Sequence, residues 1–126
     1  MTKILVVDDI AASRDSLAKL LRMSGYETAV ARNGAEGLVR LKEGPVDLIL
    51  LDHMMPEVDG LTFLTGIRRF PKWKNMPVIM FTGNKDRATN RQAQTLGVKE
   101  FLIKAEFTPQ QLLDLVQKHL PQPVPQ

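Results

Sequence analysis

The chain has no cysteine among its 126 residues, which excludes disulfides and thiolate metal sites. Nor does it hold an apolar run near the roughly 20 residues that a membrane-spanning helix needs. Its opening aliphatic run, Ile4 to Val7, stops at Asp8-Asp9 and has none of the layout of a secretory leader, so the cytoplasm is the expected location. A dense basic tract is also lacking. The net charge is +3, and the single concentration of cations is Arg68, Arg69, Lys72 and Lys74 around Trp73. The other positive charges are scattered, so that stretch reads as a solvated helix end and loop; neither nucleic acid nor membrane is an expected partner. What is present is ordinary for one soluble globular domain: 44% hydrophobic and 25% charged residues, in a chain long enough to bury a core.

Two kinds of segment alternate. Short aliphatic or β-branched runs, KILVVD, YETAVA, VDLILLD, PVIMFT and EFLIKA, read as five strands. Between them lie stretches with helical spacing. The first carries Leu17, Leu20 and Leu21 and ends near Ser24-Gly25; the second opens on Asn33 with Glu36 three residues later. The third follows Asp59-Gly60, with Asp59 as its N-cap, and the fourth spans residues 85–96. The last combines Thr108 as N-cap, Pro109 at the first helical position and Gln111 reaching back, ahead of Leu112, Val116 and Leu120. Alternation of this kind predicts an α/β fold, a doubly wound five-stranded parallel sheet with five helices covering both faces.

The strand ends carry the chemistry. The first strand finishes in Asp8-Asp9, the third in Asp52, the fourth in Thr82 and the fifth in Lys104. In an open parallel sheet these ends share one edge, where ligands bind. Two carboxylates about 4 Å apart repel by roughly 4 kcal/mol at an effective dielectric near 20. Three therefore call for protons or a cation. Oxygen ligands without imidazole or thiolate suit a hard ion, Mg²⁺ or Mn²⁺, and such an ion held by Asp8, Asp9 and Asp52 can neutralise and orient an incoming phosphoryl group. A carboxylate can itself attack phosphorus, giving an acyl phosphate. Thr82 offers a hydroxyl and Lys104 a compact charge to the phosphoryl oxygens.

On LVVDD at Asp8-Asp9, LLDHMMPEVDG at Asp52, MFTG at Thr82 and FLIKA at Lys104, the sequence resembles a receiver domain of the two-component response regulator family. The similarity runs from residue 3 to residue 120. A receiver domain is thus expected over residues 1–120, with 121–126 as a Pro/Gln-rich tail or linker stub. The resemblance implies the flavodoxin-like strand order 2-1-3-4-5. It also implies phosphorylation of Asp52 by a histidine kinase or histidine phosphotransfer protein, with no separate substrate turned over. Asp8, Asp9, Asp52 and the backbone carbonyl of Met54 would bind the metal, Lys104 would bind the phosphate, and Thr82 with Phe101 would form the switch. Output would run through contacts of the helix 4–strand 5–helix 5 face with an unidentified protein, by a monomer or a phosphorylation-dependent dimer.

Two positions depart from the family pattern. Ala105 stands where a proline, often cis, follows the lysine, so a trans bond and an altered loop at Ala105, Glu106 and Phe107 are expected. Gly83 stands where many relatives carry alanine, which opens access to the phosphoryl site. Ala105 motivates the alternative of a degenerate receiver, a non-phosphorylated binding module, whereas the opening at Gly83 would speed loss of the phosphate. A phosphatase with an aspartyl-phosphate intermediate is disfavoured because Met54, not a second Asp, stands two residues after Asp52. Taken singly, Asp8-Asp9 could cap the first helix. Strand alternation points His53 away from Asp52. Met54 and Met55 read as packing groups, and His119 as a favourable charge at a helix C-terminus.

Overall fold

The structure is a computed structural model that describes residues 2–55, 58–82, 87–104 and 106–120, with only the backbone at positions 82, 87 and 88. Its elements follow the expected alternation: β1 Lys3–Val7, α1 Ala11–Met23, β2 Glu27–Ala31, α2 Gly34–Glu43, β3 Leu48–Asp52, α3 Gly60–Arg68, a 3-10 turn Pro71–Trp73, β4 Val78–Thr82, α4 Arg87–Thr95, β5 Glu100–Ile103 and α5 Pro109–His119. The strands are parallel in the order β2-β1-β3-β4-β5. Of the stretch 85–96 read as the fourth helix, positions 85 and 86 lie outside the described residues, as does the tail 121–126.

Side-chain alternation along the strands splits the core in two. Leu5, Val7, Ile49, Leu51 and Met80 pack under Leu41 of α2, Phe63, Leu64 and Ile67 of α3, and Ala93 of α4. On the opposite face Ile4, Val6, Leu48, Leu50, Ile79 and Phe81 meet Leu17 and Leu21 of α1 and Leu112 and Val116 of α5. Because β1 and β3 are buried on both faces, neither strand has a polar row, and each reads as an unbroken aliphatic run. Burying one such side chain contributes about 2 kcal/mol.

The helix starts follow the expected chemistry. Asn33 accepts the Glu36 N–H at 2.8 Å and Asp59 accepts the Thr62 N–H at 2.8 Å. Thr108 and Gln111 exchange both bonds of a capping box. Around α2 the reciprocal bond shifts by one residue, since Glu36 takes the N–H of Arg32 rather than that of Asn33.

Candidate functional site

Parallel register assembles the site. Val7 pairs with Leu51, so Asp8 leaves β1 level with Asp52 at the end of β3. Asp52 pairs with Phe81, and Thr82 with Ile103, which brings Lys104 out on the same edge. Asp8, Asp9 and Asp52 each offer a carboxylate oxygen, and these oxygens lie within 4.8 Å of one another. Asp8 and Asp52 are almost wholly inaccessible, at 1% and 0% exposure, and Asp9 is half-buried.

Asp8 is fixed by its neighbours. Oδ1 accepts the N–H of Ile10 at 2.9 Å, and Oδ2 accepts the Ser13 hydroxyl at 2.5 Å. The Arg14 guanidinium donates to the Asp8 carbonyl at 3.1 Å. Helix α1 has Ile10 as its N-cap and no side-chain cap, so the capping alternative for Asp8-Asp9 does not hold.

Asp52 accepts the Met54 N–H on Oδ1 at 3.2 Å and the Lys104 ammonium on Oδ2 at 3.0 Å. Lys104 also reaches Asp8 Oδ1 at 3.5 Å. Burial dominates at Asp52 and pushes its carboxyl from 3.8 up to about 6, against the pull of Lys104 and with the charge of Asp8 adding to the rise. For Lys104, burial disfavours the charge, but the bond to Asp52 and the charges of Asp52 and Asp8 outweigh it and hold the ammonium above its ordinary value. Asp9 supplies the complementary observation: its Oδ1 is buried without a hydrogen-bond partner among the described residues. A buried, orphaned carboxylate oxygen beside two further carboxylates fits a hard divalent cation with oxygen ligands.

Other expected participants fall as follows. Thr82 closes β4, but its side chain, like Gly83 and Ala105, lies outside the described residues. Phe101 is half-buried, in register with Met80, and packs against the core beneath α2, α3 and α4. His53 lines a separate cavity of about 390 Å³ with Met54, Met55 and Asp59. Met55 packs as expected, at 7% exposure, whereas Met54 is corrected to a surface side chain at 59%. At the far end of the sheet His119 does more than face a helix terminus, since its Nε2 sits 2.8 Å from Glu100 Oε1.

Sequence reasoning missed three supports. Ser13 and Arg14 fix Asp8 from the first turns of α1. Gly60 fixes Asp52: a Cβ there would lie 2.7 Å from the Asp52 carbonyl oxygen and 2.9 Å from His53 Cα. Its N–H donates to the His53 carbonyl at 3.0 Å, so the start of α3 is tied to the end of the strand that carries Asp52. The detectable signal was Asp59-Gly60, a turn dipeptide opening a helix.

A family model described as the response regulator receiver domain matches residues 4–117. The chemotaxis protein CheY of Pseudomonas aeruginosa is 34% identical over 92% of this chain and 94% of its own length. The CAI-1 autoinducer sensor kinase/phosphatase CqsS of Vibrio cholerae is 39% identical over 81% of this chain, which spans only 15% of that much longer protein. Among solved structures, the chemotaxis protein CheY4 of Vibrio cholerae superposes with a TM-score of 0.89 at 30% identity, covering 95% of this chain and 99% of its own.

Proposed function

Because the chain belongs to the response regulator receiver family, a family of two-component signalling domains, we propose that it is a phosphoryl-accepting switch with Asp52 as acceptor. An Asp52 carboxylate oxygen attacks the phosphorus of a phosphohistidine on a histidine kinase or phosphotransfer protein. The new O–P bond makes an acyl phosphate, the P–N bond breaks, and the electron pair returns to the imidazole of the donor. Asp8, Asp9 and Asp52, with the Met54 carbonyl, would hold Mg²⁺ or Mn²⁺, which when bound supplies positive charge against the phosphoryl oxygens. Lys104 pairs with a phosphoryl oxygen in place of the Asp52 carboxylate. Asp8, fixed by Ile10 and Ser13, keeps its place while Asp52 changes charge.

The single observation that carries this reading is the contact of Lys104 with the fully buried Asp52 at 3.0 Å, beside an orphaned Asp9 oxygen. A structural ion pair would not require two further carboxylates around it. The downstream switch is part of the same proposal. A new dianion beside Thr82 and Lys104 draws Thr82 inward, Phe101 turns into the vacated space, and the face made by α4, β5 and α5 changes shape for a protein partner.

The test is incubation with Mg²⁺ and acetyl phosphate, followed by intact mass. A gain of one phosphate that disappears in Asp52→Asn is the expected result. Absence of uptake by the wild type would assign the chain to the degenerate, binding-only receivers.

A further inference from the structure

The basic stretch at the end of α3 takes no part in the phosphoryl site, yet it borders a surface groove. Between α2 and α3 lies a largely apolar cavity of about 280 Å³, lined by Ala35, Leu38, Val58, Phe63, Gly66 and Phe70 among others. Two of its lining residues, Gly34 and Gly66, carry no side chain. Gly34 and Gly37 let the Phe63 ring come within 3.1 to 3.3 Å of where their Cβ atoms would be, and Gly66 leaves open space within 4 Å of its own. Val58 and Phe70 keep 40% and 45% of their surface in water at this groove. Phe70 leans on the buried Trp73, with ring centroids 5.1 Å apart, and the Lys72 ammonium stands 5.9 Å from the Trp73 ring.

Beside that aromatic pair, Arg69, Lys72 and Lys74 are exposed, and among the described residues none of them forms an ion pair with a carboxylate. Apolar surface and unneutralised cations thus meet at one end of a groove wide enough for a few side chains. We propose that this groove docks an acidic peptide segment of a partner protein, with aliphatic or aromatic anchors in the cavity and carboxylates against Arg69, Lys72 and Lys74. A nucleic acid would satisfy the cations but leave the apolar floor uncovered. A second copy of this chain brings the same net charge of +3 rather than its complement.

The test is selection of displayed random peptides, about three helical turns long, on the immobilised protein. Retained peptides are then synthesised and titrated, with amide chemical shifts mapping the surface used. Peptides combining apolar anchors with net negative charge are expected, shifting the signals of residues around Gly66 and Phe70. Arg69→Glu and Lys72→Glu should each weaken binding about fivefold, and added salt should weaken it in the wild type. The groove itself is tested by Gly66→Gln. A Cβ at position 66 meets no heavy atom within 4 Å, and glutamine favours the helix over glycine, so the urea midpoint should not fall while peptide affinity drops at least about tenfold. The proposal is overturned by failure to retain any peptide, by retained peptides lacking acidic residues, or by undiminished binding to Gly66→Gln. It is equally overturned if shifts map to α4, β5 and α5, if an oligonucleotide displaces the peptide, or if sedimentation finds the groove closed by self-association.

Discussion

Replacing Asp52 with asparagine should make the metal-free protein more stable at neutral pH while abolishing phosphate uptake. The reasoning starts from burial: the carboxyl is fully inaccessible and its folded value is raised from 3.8 to about 6. A raised carboxylate costs stability in its ionised form. The cost is fully present above the folded value and vanishes below the unfolded one, because the folded state holds its proton more tightly between the two. About two units correspond to about 3 kcal/mol. Solvent at the crevice mouth, where Lys104 is 27% exposed, screens part of this, and about 1.5 kcal/mol is the magnitude to expect. Asparagine keeps the shape and removes the charge. Urea unfolding in a chelator, followed through the single, buried Trp73, should therefore find Asp52→Asn about 1.5 kcal/mol more stable at pH 7.5. The gap should close between pH 6 and pH 4. Mg²⁺ at about a hundredfold excess over its dissociation constant for the wild type should add about 2.7 kcal/mol to the wild type and less to the variant, which has lost one of three carboxylates, so the gap should narrow. A variant less stable than wild type in chelator at pH 7.5, or a gap that does not depend on pH, would refute the account.

Further outcomes follow from the same geometry. Gly60→Ala forces a methyl group to within 2.9 Å of the backbone at Asp52 and His53 and should cost about 1–3 kcal/mol in urea unfolding. Gly66→Ala, with open space around it, should gain about 0.5–1 kcal/mol. Arg68 donates to the carbonyls of Leu96 at 2.8 Å and Trp73 at 2.9 Å, so Arg68→Met should lower the unfolding free energy by about 3 kcal/mol by leaving both carbonyls unpaired. In Lys104→Met the ammonium no longer competes for Asp52 Oδ2 and Asp8 Oδ1. Loss of the Lys104 charge raises the Asp52 carboxyl further, so at a pH high enough to ionise it calorimetric titration should find Mg²⁺ bound about fivefold more tightly, a gain of about 1 kcal/mol.

The legible and illegible parts of this molecule divide along a physical line. Parallel strands buried on both faces print themselves as uninterrupted aliphatic runs, and the caps at Asn33, Asp59 and Thr108 are local rules satisfied within three residues. Asp8, Asp52 and Lys104 were legible because strand direction alone places strand ends on one edge. Ser13, Arg14 and Gly60 were not, since their importance lies in contacts with Asp8 and Asp52 that no helical or strand periodicity encodes. Arg68 shows the same limit: its partner Leu96 is 28 residues away, and its charge read only as part of a solvated basic stretch. The exposure of Met54 escaped notice because side-chain direction in the loop after β3 is set by the turn rather than by alternation.

Charge accounting connects the resting site to the proposed reaction. Asp8, Asp9 and Asp52 against Lys104 leave two uncompensated negative charges at pH values above the raised Asp52 titration, in surroundings where Asp8 and Asp52 have almost no access to water. A divalent cation would cancel that excess, and the orphaned Asp9 oxygen would be a ligand to it, being a carboxylate oxygen that the protein itself leaves unsatisfied among the described residues. With the excess cancelled, the approach of a phosphoryl dianion no longer meets a repelling pocket. Once the phosphate sits on Asp52, the carboxylate that held Lys104 is gone and its charge is carried farther out, on the phosphoryl oxygens. Lys104, partly exposed and resting 3.0 Å from Asp52, can follow that charge outward, and its movement is the first displacement that phosphorylation would hand to the end of β5.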